Sequence, residues 1–206
     1  MAVRSLRADR RSVRAEDRKH KEGTVMAEIV KEGKRLRFRQ ATEEDLDYIM
    51  EAENRKGNVE YIIPDTRELH RRNLKSEDEC HLIIEERQTG RTVGFVMIAG
   101  LASPHHEIEW RRIVVDEKGK GFGQEVLYLL ESWSFDDLHF HRGWLDCKDY
   151  NARAMHVYEK AGLQREGLFR ETIYNNGVYE NLVVLGILDR EYAARRENGL
   201  YAAEKK

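Results

Sequence analysis

The segment Val115-Asp116-Glu117-Lys118-Gly119-Lys120-Gly121-Phe122-Gly123-Gln124 places three glycines at alternate positions and two lysines among them. It follows the apolar run Ile113-Val114-Val115 and precedes a helical pattern. Glycines in such a place let backbone N–H groups come close to an anion. The helix dipole and the charges of Lys118 and Lys120 add positive potential, which suits a phosphate or pyrophosphate. Glycines also make tight turns with no ligand, so the segment alone leaves both readings open. A dinucleotide site would use the same elements, and Asp146 stands near the distance expected of its ribose-binding acid. The third glycine of that fingerprint is missing, because its position falls on Gln124 or on Val126. The amino-terminal half also lacks further strand–helix–strand units, so the dinucleotide reading is discounted.

A second segment, Asn151-Ala152-Arg153-Ala154-Met155-His156-Val157-Tyr158-Glu159-Lys160-Ala161-Gly162-Leu163, shifts the balance. Together the two resemble the GNAT superfamily of acetyl-CoA-dependent N-acetyltransferases. That family's loop, Gln/Arg-x-x-Gly-x-Gly/Ala, is met by Lys118 to Gly123, with Lys118 in place of the usual Gln or Arg. The substitution keeps a cation but loses the bidentate fork of arginine. Asn151, Ala154, Tyr158, Gly162 and Leu163 match the family's second motif. The stretch Arg165-Glu166-Gly167-Leu168-Phe169-Arg170 resembles the branch of ribosomal-protein N-terminal and spermidine acetyltransferases. The resemblance spans residues 35–190.

It implies direct attack of a primary amine on the thioester of acetyl-CoA, with no covalent enzyme intermediate. The amides of Lys118, Gly119, Lys120, Gly121, Phe122 and Gly123 would hold the pyrophosphate, with Gln124 and Asn151 beside them. The backbone of Ile113, Val114 and Val115 would pair with the pantetheine amides. Tyr158 matches the family's general acid for the departing thiolate, and Glu109 stands where a base is expected, with Glu107 in reserve. Each has a plainer alternative: a tyrosine at helical spacing in the core, a solvated strand acid, and for Asn151 simply a helix cap. An inactive acyl-CoA-binding module with a regulatory role is the alternative function.

Other reactive side chains carry less. Cys147 has no identifiable partner base and reads as a small buried hydrophobe. His105-His106 and His139-Phe140-His141 lack an acid or cysteine at ligand spacing, so no metal site is expected. The basic leader has no interleaved aromatics, which disfavours nucleic acid.

The elements that position these residues follow from periodicity. Leu36 and Phe38 alternate with arginines as a short strand, and Thr42 with Asp45 opens a helix striped by Leu46, Ile49 and Met50. A second helix covers Thr66 to Leu74. His81–Arg87 and Thr92–Leu101 form a hairpin, Glu107–Val115 a third strand, and Phe122 to Trp133 a helix. Trp144–Cys147 reads as a short buried strand, and Asn151 caps a helix that stops at Gly162. Leu168–Tyr174 and Val178–Leu188 close a hairpin at Asn175-Asn176-Gly177. The expected fold is mixed α/β: a central, mostly antiparallel twisted sheet of about six or seven strands flanked by helices. Its domain spans 29–190, between a charged extension at 1–28 and a charged tail at 191–206.

Composition sets the outer limits. The 206 residues hold 36 Lys and Arg against 38 Asp and Glu, and mean hydropathy is −0.74. Residues 26–188 alone carry 23 basic and 30 acidic side chains, a net −7. The overall near-neutrality is thus a sum of a basic leader and an acidic domain, which favours a cationic acceptor: a polyamine, another small amine or a protein N-terminus. Seven acids crowd residues 41–60 (Glu43, Glu44, Asp45, Asp47, Glu51, Glu53 and Glu60), either as an acceptor rim or as complements to a helix dipole. No apolar run is long enough to span a membrane, and no secretory leader is recognisable. Two distant cysteines fit a reducing cytoplasm. A homodimer is compatible with all of this.

Overall fold

The computed structural model describes residues 28–198. Eight strands form one sheet in the order β1-β2-β3-β4-β5-β6-β8-β7. They are β1 (Ile29–Glu32), β2 (Leu36–Gln40), β3 (Cys80–Glu86), β4 (Thr92–Ala99), β5 (Glu107–Val115), β6 (Arg142–Lys148), β7 (Gln164–Asn175) and β8 (Val178–Leu188). Every neighbouring pair is antiparallel except β5 and β6. Five α-helices accompany them among the described residues: α1 (Leu46–Asn54), α2 (Arg67–Leu74), α3 (Phe122–Ser132), α4 (Ala152–Ala161) and α5 (Asp189–Glu197). None is long and apolar enough to cross a membrane.

The mixed α/β architecture is the expected one, and the strand count is eight rather than six or seven. The extra strand is β1, whose short Ile-Val-Lys-Glu stretch carries too little alternation to stand out. Residues 191–197, expected in the charged tail, lie in α5, whose Tyr192 is buried in the core. The tyrosine hydroxyl donates to Asp136 at 2.8 Å, tying the helix down through a contact no local pattern encodes. Of the expected extension at 1–28, all but Glu28 lies outside the described residues.

Strands β3 and β4 are covered on both faces, which is why they read as continuous apolar runs. Leu82, Ile84, Val96 and Ile98 join Trp110 and the apolar side of α3 in one layer. Ile83, Phe95 and Met97 point the other way, onto Leu46, Ile49 and Ala52 of α1. Local chemistry sets the ends. The Asp45 carboxylate accepts from the Thr42 amide at 2.8 Å before α1, and the Thr66 hydroxyl caps α2 by accepting from Leu69. At the β7–β8 hairpin, Asn176 (φ 49°) and Gly177 (φ 85°) both take the left-handed conformation that a tight two-residue turn demands.

Beneath the sheet lies a buried polar cluster. The His70 ring stands 3.3 Å from a Glu53 carboxylate oxygen and 3.0 Å from the His81 ring, and all three residues are fully or almost fully buried. Arg112, from β5, pairs with Glu53 and with Asp65 and donates to the Ile63 carbonyl. Burial pushes the Glu53 carboxyl up, but the His70 hydrogen bond and the Arg112 charge outweigh it and hold it below its ordinary value. Burial and the neighbouring His70 push His81 down to about 4, so that ring is neutral. Glu53, Asp65 and His70 approach one another as metal ligands would. The Arg112 guanidinium already stands between the two carboxylates as the local cation.

Candidate active site

Strands β5 and β6 run side by side only from Glu107↔Arg142 to Glu109↔Trp144. Beyond that point β5 continues to Val115 on β4, and β6 continues to Lys148 on β8. The two therefore part. Where they part, β5 turns the backbone of residues 110–115 toward an opening instead of a neighbouring strand. One cause is a bulge: Met97↔Arg112 and Ala99↔Glu109 leave an extra residue on β5, which bends it.

The opening is a cavity of about 720 Å³. Its walls include Ile113, Val114, Val115, Lys118 and Gly123 on one side, and Asp146, Cys147, Asn151 and Tyr158 on the other. Residues 57–63 of the α1–α2 connection close one end. Of the expected site residues, the structure thus brings Glu109, Ile113, Val114, Val115, Lys118, Gly123, Asn151 and Tyr158 to one cleft.

The glycine turn sits at the mouth. Gly119 (φ 85°) and Gly121 (φ 76°) adopt left-handed backbone, and Gly121 caps the start of α3. A helix start leaves its first amides without intrahelical partners, so they are available to an anion. Lys118 extends toward the cavity, whereas Lys120 pairs with Glu117 and lies over the Phe122 ring. The Phe122 side chain packs into the core, so only its backbone can serve a ligand. Gln124 spends its side-chain amide on the Val157 carbonyl at 2.7 Å, clamping α3 to α4. The buried Glu125 carboxylate accepts from the backbone of Arg35 and Leu36 and from the Arg35 side chain, fixing the turn to β2.

On the opposite wall Asn151 accepts from the Ala154 amide at 3.1 Å, so it is a helix cap and lines the cavity as well. Half-buried Tyr158 has no hydrogen-bond partner for its hydroxyl among the described residues. Burial, with the charges of Cys147 and Asp146, pushes its phenol well above the ordinary value, so it stays protonated. Burial and Asp146 push the Cys147 thiol up to about 11, which leaves it a poor nucleophile at neutral pH.

The two sequence-picked acids separate. Glu107 pairs with Arg142 at 3.2 Å and does not line the cleft. Glu109 lines it, with its carboxylate held by Arg111 at 3.0 Å. Most of the acids between residues 41 and 60 turn away from the cleft. Glu43, Asp45, Asp47 and Glu51 pair with Arg71, Arg39, Arg67 and Arg55, Glu53 is buried, and Glu60 alone of the seven lines the cavity. The sequence reading missed Asp146 as a cleft acid and the loop at 57–63. An acid inside the apolar Trp144–Cys147 strand was the available signal; nothing local marks the loop.

Residues 35–164 match the acetyltransferase (GNAT) domain family, well over half of the chain. This chain belongs to the GNAT family. The GNAT domain is 26% identical over 161 residues to the spermidine N(1)-acetyltransferase of Vibrio cholerae, covering 74% of this chain and 92% of that protein. Among solved structures it is similar to the Vibrio cholerae spermidine N-acetyltransferase in complex with CoA and spermine, with TM-score 0.69 and 25% identity. The match covers 77% of this chain and 98% of that one. A dodecameric structure of spermidine N-acetyltransferase from the same organism matches with TM-score 0.66 and 25% identity, over 78% and 98% of the two chains. The GNAT domain is accordingly an N-acetyltransferase that takes acetyl-CoA as donor and a primary amine as acceptor. Membership in this family displaces the dinucleotide reading.

Proposed function

We propose that this GNAT domain acetylates a primary amine of a polyamine-class cation, within the cleft where β5 and β6 part. The parting itself is the observation that carries the reading. It joins an unpaired strand edge, a glycine turn at a helix start and a protonated tyrosine in one cavity. In this reading the amides of Lys118 to Gly123 and the Lys118 ammonium hold the pyrophosphate. The exposed backbone of Ile113, Val114 and Val115 pairs with the amides of the pantetheine arm, orienting the thioester toward Tyr158. The Tyr158 hydroxyl donates to the departing thiolate, and Glu109 helps place the ammonium of the acceptor.

The acceptor class is supported by the spermidine acetyltransferases the chain resembles and by the acids Glu109 and Asp146 in the cleft. Self-association is supported by the dodecameric relative. It is also supported by the outer hairpin, where Leu168, Phe169, Tyr174, Val178 and Tyr179 lie exposed, half or more of each side chain facing solvent. The acceptor is tested by ranking kcat/KM for spermidine, spermine, simple monoamines and peptides with free N-termini. The polyamines are expected to lead by about tenfold or more, the value of one ammonium correctly paired. A peptide that outranks both polyamines would overturn the assignment.

A further inference from the structure

Asp146 is the half-buried acid of this cleft whose carboxylate has no hydrogen-bond or ion-pair partner among the described residues; the Glu60 carboxylate, likewise unpaired, is exposed to solvent. Its strand, β6, pairs with β8 at Asp146↔Val184, and it lies two residues beyond Trp144, where β6 leaves β5. The side chain is half-buried. Glu109 and Arg111 act on it electrostatically from β5, Cys147 follows it on β6, and Tyr158 lines the same cleft from α4. Opposite it, β8 offers the apolar Val184. By contrast Glu109 is engaged by Arg111, whose guanidinium also reaches Glu79 at 3.1 Å. A base that must accept a proton here has to be unengaged and to line the same cleft as the acid that gives one back. Asp146 meets both conditions.

We infer that Asp146 is the proton acceptor for the incoming ammonium, and that Glu109, bound to Arg111, is a positioning residue beside it. The inference rests on the amine-acetyltransferase reading. The ammonium of the acceptor gives one proton to the Asp146 carboxylate. The freed nitrogen lone pair forms the C–N bond to the acetyl carbon while the C–S bond breaks, its electron pair going to sulfur. Sulfur takes the Tyr158 phenolic proton, the second proton of the amine returns to Tyr158, and Asp146 passes its proton to water. Burial and then the Glu109 charge raise the Asp146 carboxyl to about 6, against a smaller opposing effect of Arg111. That is a suitable value for a base working near neutrality.

The test is the pH profile of kcat/KM with spermidine for the full chain and for Asp146→Asn and Glu109→Gln. The wild-type profile should rise through an acidic limb near pH 6. Asp146→Asn should lower kcat/KM by about 10²-fold and abolish that limb, with acetyl-CoA affinity kept. Glu109→Gln should keep the limb but move it to lower pH, because removing a like charge eases ionisation of Asp146. An Asp146→Asn enzyme that retains both the limb and most of its rate would overturn the assignment. A readout independent of turnover is the ¹³C resonance of the Asp146 carboxyl in the wild-type protein. It should titrate near 6 and shift on adding spermidine. Titration at an ordinary carboxylate value, or no response to spermidine, would also overturn it, even if folding defeats the variants. Failure of the wild type on every amine, with the carboxyl titrating as expected, would instead strike the acceptor assignment.

Discussion

Replacing Tyr158 by Phe lowers kcat by about 10²-fold or more while leaving the affinity for acetyl-CoA within about twofold. The substitution removes one hydroxyl and keeps the ring. Tyr158 packs, half-buried, against the main hydrophobic core, so a phenylalanine retains that contact and the fold. The hydroxyl has no partner among the described residues that would be orphaned. Burial keeps the phenol protonated across neutral pH, which makes it a hydrogen-bond and proton donor and excludes it as a resident base. A donor used only as charge builds on the departing sulfur stabilises the transition state and not the ground state, so the loss falls on kcat. Separate measurements of kcat and of acetyl-CoA affinity check this. A drop in affinity with kcat unchanged would place Tyr158 in cofactor binding.

The largest stability effect is expected at Glu53, outside the cleft. Replacing Glu53 by Ala should destabilise the chain by about 3–5 kcal/mol, the usual consequence of removing one partner from a buried charge pair. Three groups lose a partner at once: the Arg112 guanidinium, the His70 ring and the Asp65 amide. For a chain of this size the melting temperature should fall on the order of 10 °C. The effect should also reach catalysis. Arg112 joins β5 to Ile63 and Asp65 on the connection that closes the cleft, so its release frees that wall. Thermal unfolding followed by circular dichroism gives the first quantity, and the KM for the amine reports the second. A variant with wild-type melting temperature would mean that the cluster is dispensable.

These two residues also mark what could be read from the sequence. Tyr158 was legible because its neighbours form a local pattern: Asn151 caps the helix, Gly162 ends it, and the phenol falls between them at helical spacing. The glycine turn and the hairpin at Asn176-Gly177 were legible for the same reason, since backbone conformation limits which residues can stand there. Glu53 and Arg112 were not. They lie 59 residues apart and meet only because α1 packs under β4 and β5. The same holds for the acids of residues 41–60, which look like one negative rim until their arginine partners on β2 and α2 are placed. Asp146 falls between the two cases. An acid within a short apolar strand is visible in the sequence, yet its role depends on where β6 parts from β5, and that depends on a bulge.

Direct transfer of the acetyl group within this cleft is the central claim, and Cys147 supplies its sharpest alternative. The thiol lines the same cavity, and a covalent acetyl-cysteine would also release CoA. Its thiolate is disfavoured, since burial and Asp146 raise the thiol to about 11. The deciding measurement is intact-protein mass spectrometry of the full chain with acetyl-CoA, first alone and then with spermidine, with free thiol followed in parallel. With acetyl-CoA alone the protein mass stays unchanged and no thiol appears. With spermidine, thiol and acetylated amine appear one for one. Acetylation of the protein before any amine is added, or thiol release without acetylated amine, would contradict direct transfer.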